Sequence, residues 1–405
     1  MVMDPEPHKK PHSGQQMSRG LSRLTVEAIT GVTHMVESLH QTIARLGNPT
    51  GPSKGPTGKL YSNIRTITQW VGGGLDELLS GFGPLLDKLG DNPGSEAIVS
   101  ALNGVLGDHL VARNNPLAIP MKLRRKGKTL DAEALNRFVG QTGGHLLILV
   151  HGSCMNDLQW LRKGHSHGAA LARDLGFATL YLHYNTGRHV SENGRQFADL
   201  LQCLMSDNEK PASITILTHS MGGLVSRSAC YYAQEAGHSW LNHLTKMAFL
   251  GTPHHGAPLE KGGNHIDALL ELSPFSAPFA RLGKIRSSGI TDLRYGYVVD
   301  EDWKGKDRFE FLDEDRRIVP LPSDVACYAL AASKSKTGSL AGDHLLGDGL
   351  VPVYSALGRH LKPELQFNIP EDRQWVGRKM NHFDLLNDPQ VYETLKNWLA
   401  PVTRP

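Results

Sequence analysis

The sequence is short of several features that would assign a protein class at once. Its four cysteines, Cys154, Cys203, Cys230 and Cys327, in 405 residues form no C-x-x-C pair and are too few to staple a chain of this length, which excludes a disulfide framework. Reduced core thiols are expected. No run reaches the ~18 apolar residues of a membrane span, and Met1 to Gln16 holds Pro, His and Lys where a secretion signal needs an apolar stretch. A cytoplasmic location is expected. There is no excess of one charge either: 43 basic against 40 acidic side chains leave +3, too little to argue for nucleic acid as a partner. What is present is apolar. Hydrophobic residues at 40% and charged residues at 20% supply a sizeable core and set aside disordered and collagenous classes.

The length allows two or three domains of ~150 residues, or one large domain with an extension. Residues 1–20 and about 47–58 are rich in Pro, Gly and Ser, a flexible tail and a linker. From Leu24 to Leu46, the residues Val26, Ile29, Val32, Val36, Leu39, Ile43 and Leu46 recur at spacings of three and four, one apolar stripe of a helix. A second such stretch, Leu60 to Leu89, is interrupted by Gly72, Gly73 and Gly74, and Ser95 to Leu110 reads as a third. The spacing thus predicts a helical N-terminal module over 21–115. Its apolar faces pack on the main domain or, alternatively, give peripheral membrane association. The basic run Lys122, Arg124, Arg125, Lys126 and Lys128 suits anionic headgroups, and its simpler reading is a solvated strand pair and turn.

From His145 the pattern changes to short apolar runs separated by helical stretches, as in a mostly parallel sheet covered on both faces. The runs are Leu146 to Val150, Ala178 to Leu182, Ile214 to Leu217, Met247 to Leu250, Val325 to Ala331 and a weaker Leu365 to Ile369. An α/β domain over 116–405 follows. Its alternation lapses over about 257–320, where an insertion over the sheet fits, and within it Leu269 to Phe279 reads as an apolar lid or as core.

The strand Ile214 to Leu217 leads into Thr218-His219-Ser220-Met221-Gly222-Gly223 and a helix. A serine on such a tight turn is held out at the carboxyl edge of the sheet, with the positive end of the helix directed at it. Small residues are needed because strand and helix approach closely, and Gly222 and Gly223 supply them; Thr218 stands where the G-x-S-x-G pattern has its first glycine. A second strand ends in Val150-His151-Gly152-Ser153. Two backbone N–H groups are wanted to stabilise an oxyanion: Met221 offers one, and Ser153, with Gly152 as the other choice, offers the second. Downstream, Gly347-Asp348-Gly349 frees the backbone to aim a carboxylate, with Asp343 and Asp324 as competitors. His382, before the closing helix at about Pro389 to Leu399, is placed to accept a proton from Ser220 while donating to that acid.

These residues carry a resemblance. From about His145 onward the chain resembles an α/β-hydrolase of the bacterial lipase and esterase type, near lipases that resemble GPI inositol-deacylases. The matching segments are Val150 to Gly152, Thr218 to Gly223, Phe249 to Gly256, Asp348 to Val351 and Asn381 to Asp384. The resemblance implies an α/β-hydrolase fold with a lid, and a triad of Ser220, His382 and Asp348 with oxyanion donors at Ser153 and Met221. It also implies a carboxylic ester substrate, small or lipid-like, and no cofactor.

His151, Gly152, Tyr184 and His219 are expected to line the substrate site, Tyr184 because it opens a carboxyl-end loop. Similar lipases hold calcium through an Asp two positions after the histidine, here Asp384; the plainer reading is a carboxylate bonding its own loop, and no metal is expected. The pairs His165/His167 and His254/His255 lack metal-ligand spacing. Acyltransferase, amidase or phospholipid deacylase activity would use the same triad. A lipid-binding or scaffold protein working through the N-terminal helices is the reading from another class.

Overall fold

The computed structural model of the protein describes residues 93–140, 144–205, 211–257, 287–306, 316–336 and 347–400. Outside them lie the helices expected over 24–46 and 60–89, the apolar stretch 269–279 and the competing acid Asp343. The chain divides into two compact units, Met1–Ser95 and Glu96–Pro405, whereas the sequence reading sets the boundary after residue 115.

The reason is local. Helix α1, Pro93–Ala112, buries Ile98, Ala101, Leu102, Val105 and Leu106, and its Asn103 is tied to the chain that follows. The Asn103 amide donates to the Leu117 carbonyl at 2.8 Å and its oxygen accepts from Ile119 N–H at 2.9 Å. The basic run then makes strands β1 (Lys122–Arg125) and β2 (Lys128–Thr129). They are joined through Lys126 at φ 50° and Gly127 at φ 75°, the strand pair and turn of the simpler reading. Arg124 is turned inward and pairs with Glu96 at 2.7 Å and Asp157 at 3.1 Å.

After helix α2 (Ala132–Gly140) the chain alternates. Strand β3 (His145–Val150) precedes helix α3 (His167–Leu175), β4 (Ala178–His183) precedes α4 (Val190–Cys203), and β5 (Ser213–His219) precedes α5 (Met221–Glu235). Strand β6 is Leu244–Leu250, helix α6 Ser288–Tyr295, strand β7 Ala326–Ser333, the short α7 Val353–Ala356, strand β8 Gln374–Arg378 and helix α8 Pro389–Leu399. Among the described residues, eight strands lie in the order β2-β1-β4-β3-β5-β6-β7-β8. All neighbours from β4 to β8 pair in parallel, while β1 runs antiparallel to both β2 and β4. This is an α/β fold with a mostly parallel sheet, as the alternation predicts.

Both faces of the sheet are covered. Leu146, Ile148 and Val150 of β3 enter one apolar layer with Phe197 and Leu201 of α4 and Leu224 and Val225 of α5. Leu147 and Leu149 enter the opposite layer with Leu171 of α3 and Val391 and Leu395 of α8. A side chain of this size, fully buried, contributes roughly 1.5–3 kcal/mol, which is why β3 reads as an unbroken apolar run. Leu365 to Ile369 is a correction: it contains no strand. Pro363–Leu365 is a 3₁₀ turn, and Leu365 and Ile369 are buried without a strand, Ile369 against Ala329 and Ala331 of β7 and Val353 and Ala356 of α7. The edge strand is β8 instead, and its half-exposed Gln-Trp-Val-Gly-Arg forms no apolar run. Among the described residues, no helix is long and apolar enough to cross a membrane.

The topology places the site. From β3 the chain winds first to β4 on one side and then to β5 on the other, and at such a reversal a crevice opens at the carboxyl ends of the strands. The loops after β3, β5 and β6 meet there.

Candidate active site

Ser220 occupies the junction of β5 and α5 with φ 53° and ψ −126°. That left-handed backbone costs a non-glycine residue about 1–3 kcal/mol and persists only where the surroundings enforce it. Here they do. Ser220 N–H donates to the Leu250 carbonyl of β6 at 2.9 Å, and the Ser220 carbonyl accepts from Gly223 N–H at 3.0 Å. A Cβ on Gly222 would lie 2.7 Å from the His151 carbonyl oxygen, and one on Gly223 2.8 Å from Thr252 Cβ, so both glycines are demanded by close approach. Thr218, the departure from the pattern, is accommodated because its hydroxyl donates to the Ala248 carbonyl at 3.2 Å.

The loop after β3 lies directly against the serine: a Cβ on Gly152 would stand 2.9 Å from Ser220 Cβ and 3.0 Å from His219 Nδ1. Ser153 follows it, and Met221 opens α5, where the helix has no carbonyl to offer its N–H. Beyond Ser153, Cys154 takes φ 60° and its N–H donates to Thr186 Oγ1 at 3.0 Å.

His382 and Asp348 come together although 34 positions apart, with His382 Nδ1–H donating to Asp348 Oδ2 at 2.6 Å and both side chains buried. The other oxygen, Oδ1, accepts from Leu350 and Val351 N–H, each at 2.8 Å. The glycine-flanked turn therefore aims the carboxylate and also saturates it. His382 Nε2 is buried and has no hydrogen-bond partner among the described residues. Its ring rests on Gly251, where a Cβ would lie 3.0 Å from Cε1; Gly251 has φ 59° and follows the Leu250 carbonyl that holds Ser220. The imidazole is thus packed one residue from the strand contact that fixes the serine. Asp324 precedes β7 at the amino edge of the sheet, and its carboxylate accepts from Ser323 Oγ at 3.3 Å.

The surrounding imidazoles are neutral. His219 Nε2–H donates to the His382 carbonyl at 3.2 Å, its ring lies 4.6 Å from that of His382, and burial holds its pKa well below the usual histidine value. His151 donates from Nδ1 to the Gly152 carbonyl at 3.0 Å, and burial lowers it to about 3. Tyr184 stacks on His151 at 4.5 Å and gives its hydroxyl to the His151 carbonyl at 2.8 Å. It is buried, so it supports the loop that ends β3. Asp384 accepts from Asn381 N–H at 3.0 Å and pairs with Lys163 at 3.4 Å, bonding its own loop. His165 and His167 are linked at 2.9 Å, and His167 Nε2–H donates to the Leu385 carbonyl at 2.9 Å. Among the described residues no group of three or more His, Cys, Asp or Glu could hold a metal ion.

The reading of the sequence missed Gly251 as a support, although a glycine directly after an apolar strand was a usable signal. It also missed Thr186 and the two N–H groups that seat Asp348, for which no local pattern exists.

A parallel sheet with a strained serine between strand and helix, and a His–Asp pair delivered by later loops, defines an α/β-hydrolase domain. Residues 141–315 match the family model of the PGAP1-like alpha/beta domain. No curated protein sequence matches the chain. Among solved structures it is similar to the mature form of the Bacillus licheniformis lipase BlEst2, at 17% identity and TM-score 0.40, over 70% of this chain and 98% of that one. Aspergillus fumigatus lipase B is similar at 10% identity and TM-score 0.39, over 67% and 53%. The RedJ thioesterase of Streptomyces coelicolor is similar at 12% identity and TM-score 0.36, over 65% and 92%.

Proposed function

We propose that the protein is a serine hydrolase that cleaves carboxylic esters through an acyl-enzyme. Ser220 Oγ attacks the ester carbonyl while His382 Nε2 takes its proton, and Asp348 fixes the imidazole tautomer and stabilises the imidazolium. The carbonyl oxygen, now negative, is met by the N–H groups of Ser153 and Met221, where one such donor is worth roughly 3–4 kcal/mol. Collapse expels the alcohol, which leaves with the proton from Nε2. Water, deprotonated by the same nitrogen, then releases the acid. His151 and Gly152 border the path of the substrate, and no cofactor enters the cycle.

The observation that carries this reading is the buried His382–Asp348 pair, whose far nitrogen is left without a partner and whose ring packs on Gly251, next to the Leu250 carbonyl that holds a serine at φ 53°. A hydrogen-bonded histidine alone would be structural, and a strained serine alone an unusual turn. Together they supply nucleophile, base and orienting acid. A fluorophosphonate probe tests the assignment: the native chain is expected to be labelled and to hydrolyse p-nitrophenyl esters, and Ser220→Ala to do neither. Equal labelling of both proteins would remove Ser220 from the reaction.

A further inference from the structure

Helix α1 lies outside the residues that match the family model, yet it is seated on the loops of the carboxyl edge. A Cβ on Gly104 would fall on Cys154 Sγ and stand 2.9 Å from Cys154 Cα, so helix and loop touch with no space for a methyl group. The Gly104 carbonyl accepts from Ser287 Oγ at 2.7 Å, at the start of α6. One turn on, the Gly107 carbonyl accepts from the Asn185 amide at 3.0 Å, in the loop after β4. That same loop supplies Thr186, whose hydroxyl receives Cys154 N–H. Cys154 is therefore clamped between α1 and Thr186, in a left-handed conformation, immediately after Ser153.

We infer that α1 is a positioning element for catalysis, its Gly104 pressing on Cys154 to hold the Ser153 N–H where the oxyanion of the substrate forms. This rests on the ester-hydrolase reading above. The physical reason is that an oxyanion donor works only if fixed beforehand at hydrogen-bond distance from an atom that moves during the reaction. A loop as short as Gly152 to Cys154, strained at its last residue, keeps such a position only when both sides are packed. The β4 loop packs one side and α1 the other.

Gly104→Ala in the full chain forces Cys154 to shift. The expected result is a fall of about tenfold in kcat with KM within about twofold, a partial loss of the ~10²–10³ that one donor supplies. Joining it to Cys154→Gly, which removes the colliding sulfur and tolerates positive φ, is expected to restore part of the lost kcat. Ser100→Gly on the same helix weakens α1 without touching Cys154, and is expected to lower the melting temperature while kcat stays at the native level. Native kcat in a folded Gly104→Ala protein overturns the inference, as does a loss that Cys154→Gly does not relieve. Should Gly104→Ala not fold, Cys154→Ala carries the test by deleting the sulfur from the loop: a several-fold loss of kcat supports the inference and an unchanged kcat overturns it. Absence of ester turnover and of probe labelling in the native protein would instead sink the hydrolase reading itself, so the two failures are distinguishable.

Discussion

Two of the domain's histidine–aspartate pairs, His382–Asp348 and His189–Asp292, have different surroundings: both partners of the first are buried, whereas the His189 ring of the second is partly exposed. His382 meets Asp348 through one oxygen at 2.6 Å. His189 meets Asp292 through both, at 3.0 and 3.1 Å, and Asp292 Oδ2 also accepts Val190 N–H at 2.7 Å. The His189 ring is covered by the Trp303 ring, stacked at 3.5 Å and 7°, and burial raises the Asp292 carboxyl to about 6. That pair fastens the loop after β4 to α6. Over His382 the contacts are Gly251 and the ring of His219, and its far nitrogen stays unspent. A carboxylate that orients an imidazole is thus a fastening in both places. On the proposed function, the His382 pair differs in that its far nitrogen is left unspent for a proton.

Breaking each pair separately is the strongest test of this contrast. Asp348→Asn is expected to lower kcat by ~10⁴ with the melting temperature nearly unchanged, as in other triads. Asp292→Asn is expected to leave kcat within about threefold and to cost about 1–3 kcal/mol in urea unfolding, as for a buried polar partner removed. Loss of turnover in both variants, or in neither, would erase the distinction.

Acid sharpens the comparison. Unlike the two paired rings, His151 and His167 hydrogen-bond neutral groups, and burial lowers them to about 3 and about 4. In the fold they stay neutral below pH 6.5, while in the unfolded chain they take up protons, so stability is lost as pH falls from 6.5. At pH 5 each accounts for about 2 kcal/mol. His219 and His254 act in the same direction. Asp292 acts oppositely: raised from 3.8 to about 6, it binds its proton in the fold first, and its contribution to stability grows as pH falls through that window. The urea midpoint is therefore expected to drop between pH 7 and pH 5, and to drop further in Asp292→Asn. A midpoint independent of pH over this range would contradict buried neutral imidazoles.

The smallest effect concerns Thr218. Replacing it by glycine restores the usual elbow pattern but removes the bond to Ala248 and adds strand entropy, at about 1 kcal/mol. Turnover is expected within about twofold. A large rise in kcat would mean that threonine distorts the elbow.

Much of this was legible in the chain. Strand β3 is visible because both its faces are covered, and Ser220 because a tight strand-to-helix turn needs small neighbours at fixed offsets. The glycine-flanked turn at Asp348 was legible as one that aims a carboxylate, and that carboxylate meets His382. The rest failed for physical reasons. Strand β8 lies at the sheet edge and lacks an apolar run, whereas Leu365 and Ile369 are buried from outside any strand, Ile369 against β7 and α7. Tyr184 supports the β3 loop through its hydroxyl, and nothing in the sequence fixes which way that ring turns. The pairing of His189 with Asp292, and the seat of α1 on Cys154, join positions far apart, which no local pattern encodes.

The order of the site along the chain also sets a schedule. Ser220 is in place once the first strands of the parallel sheet exist, whereas Asp348 and His382 belong to loops around its last strand. During synthesis, which runs from the amino end, about 160 residues separate the emergence of Ser220 from that of His382. A nascent chain therefore displays Ser220 well before the His382–Asp348 pair can form.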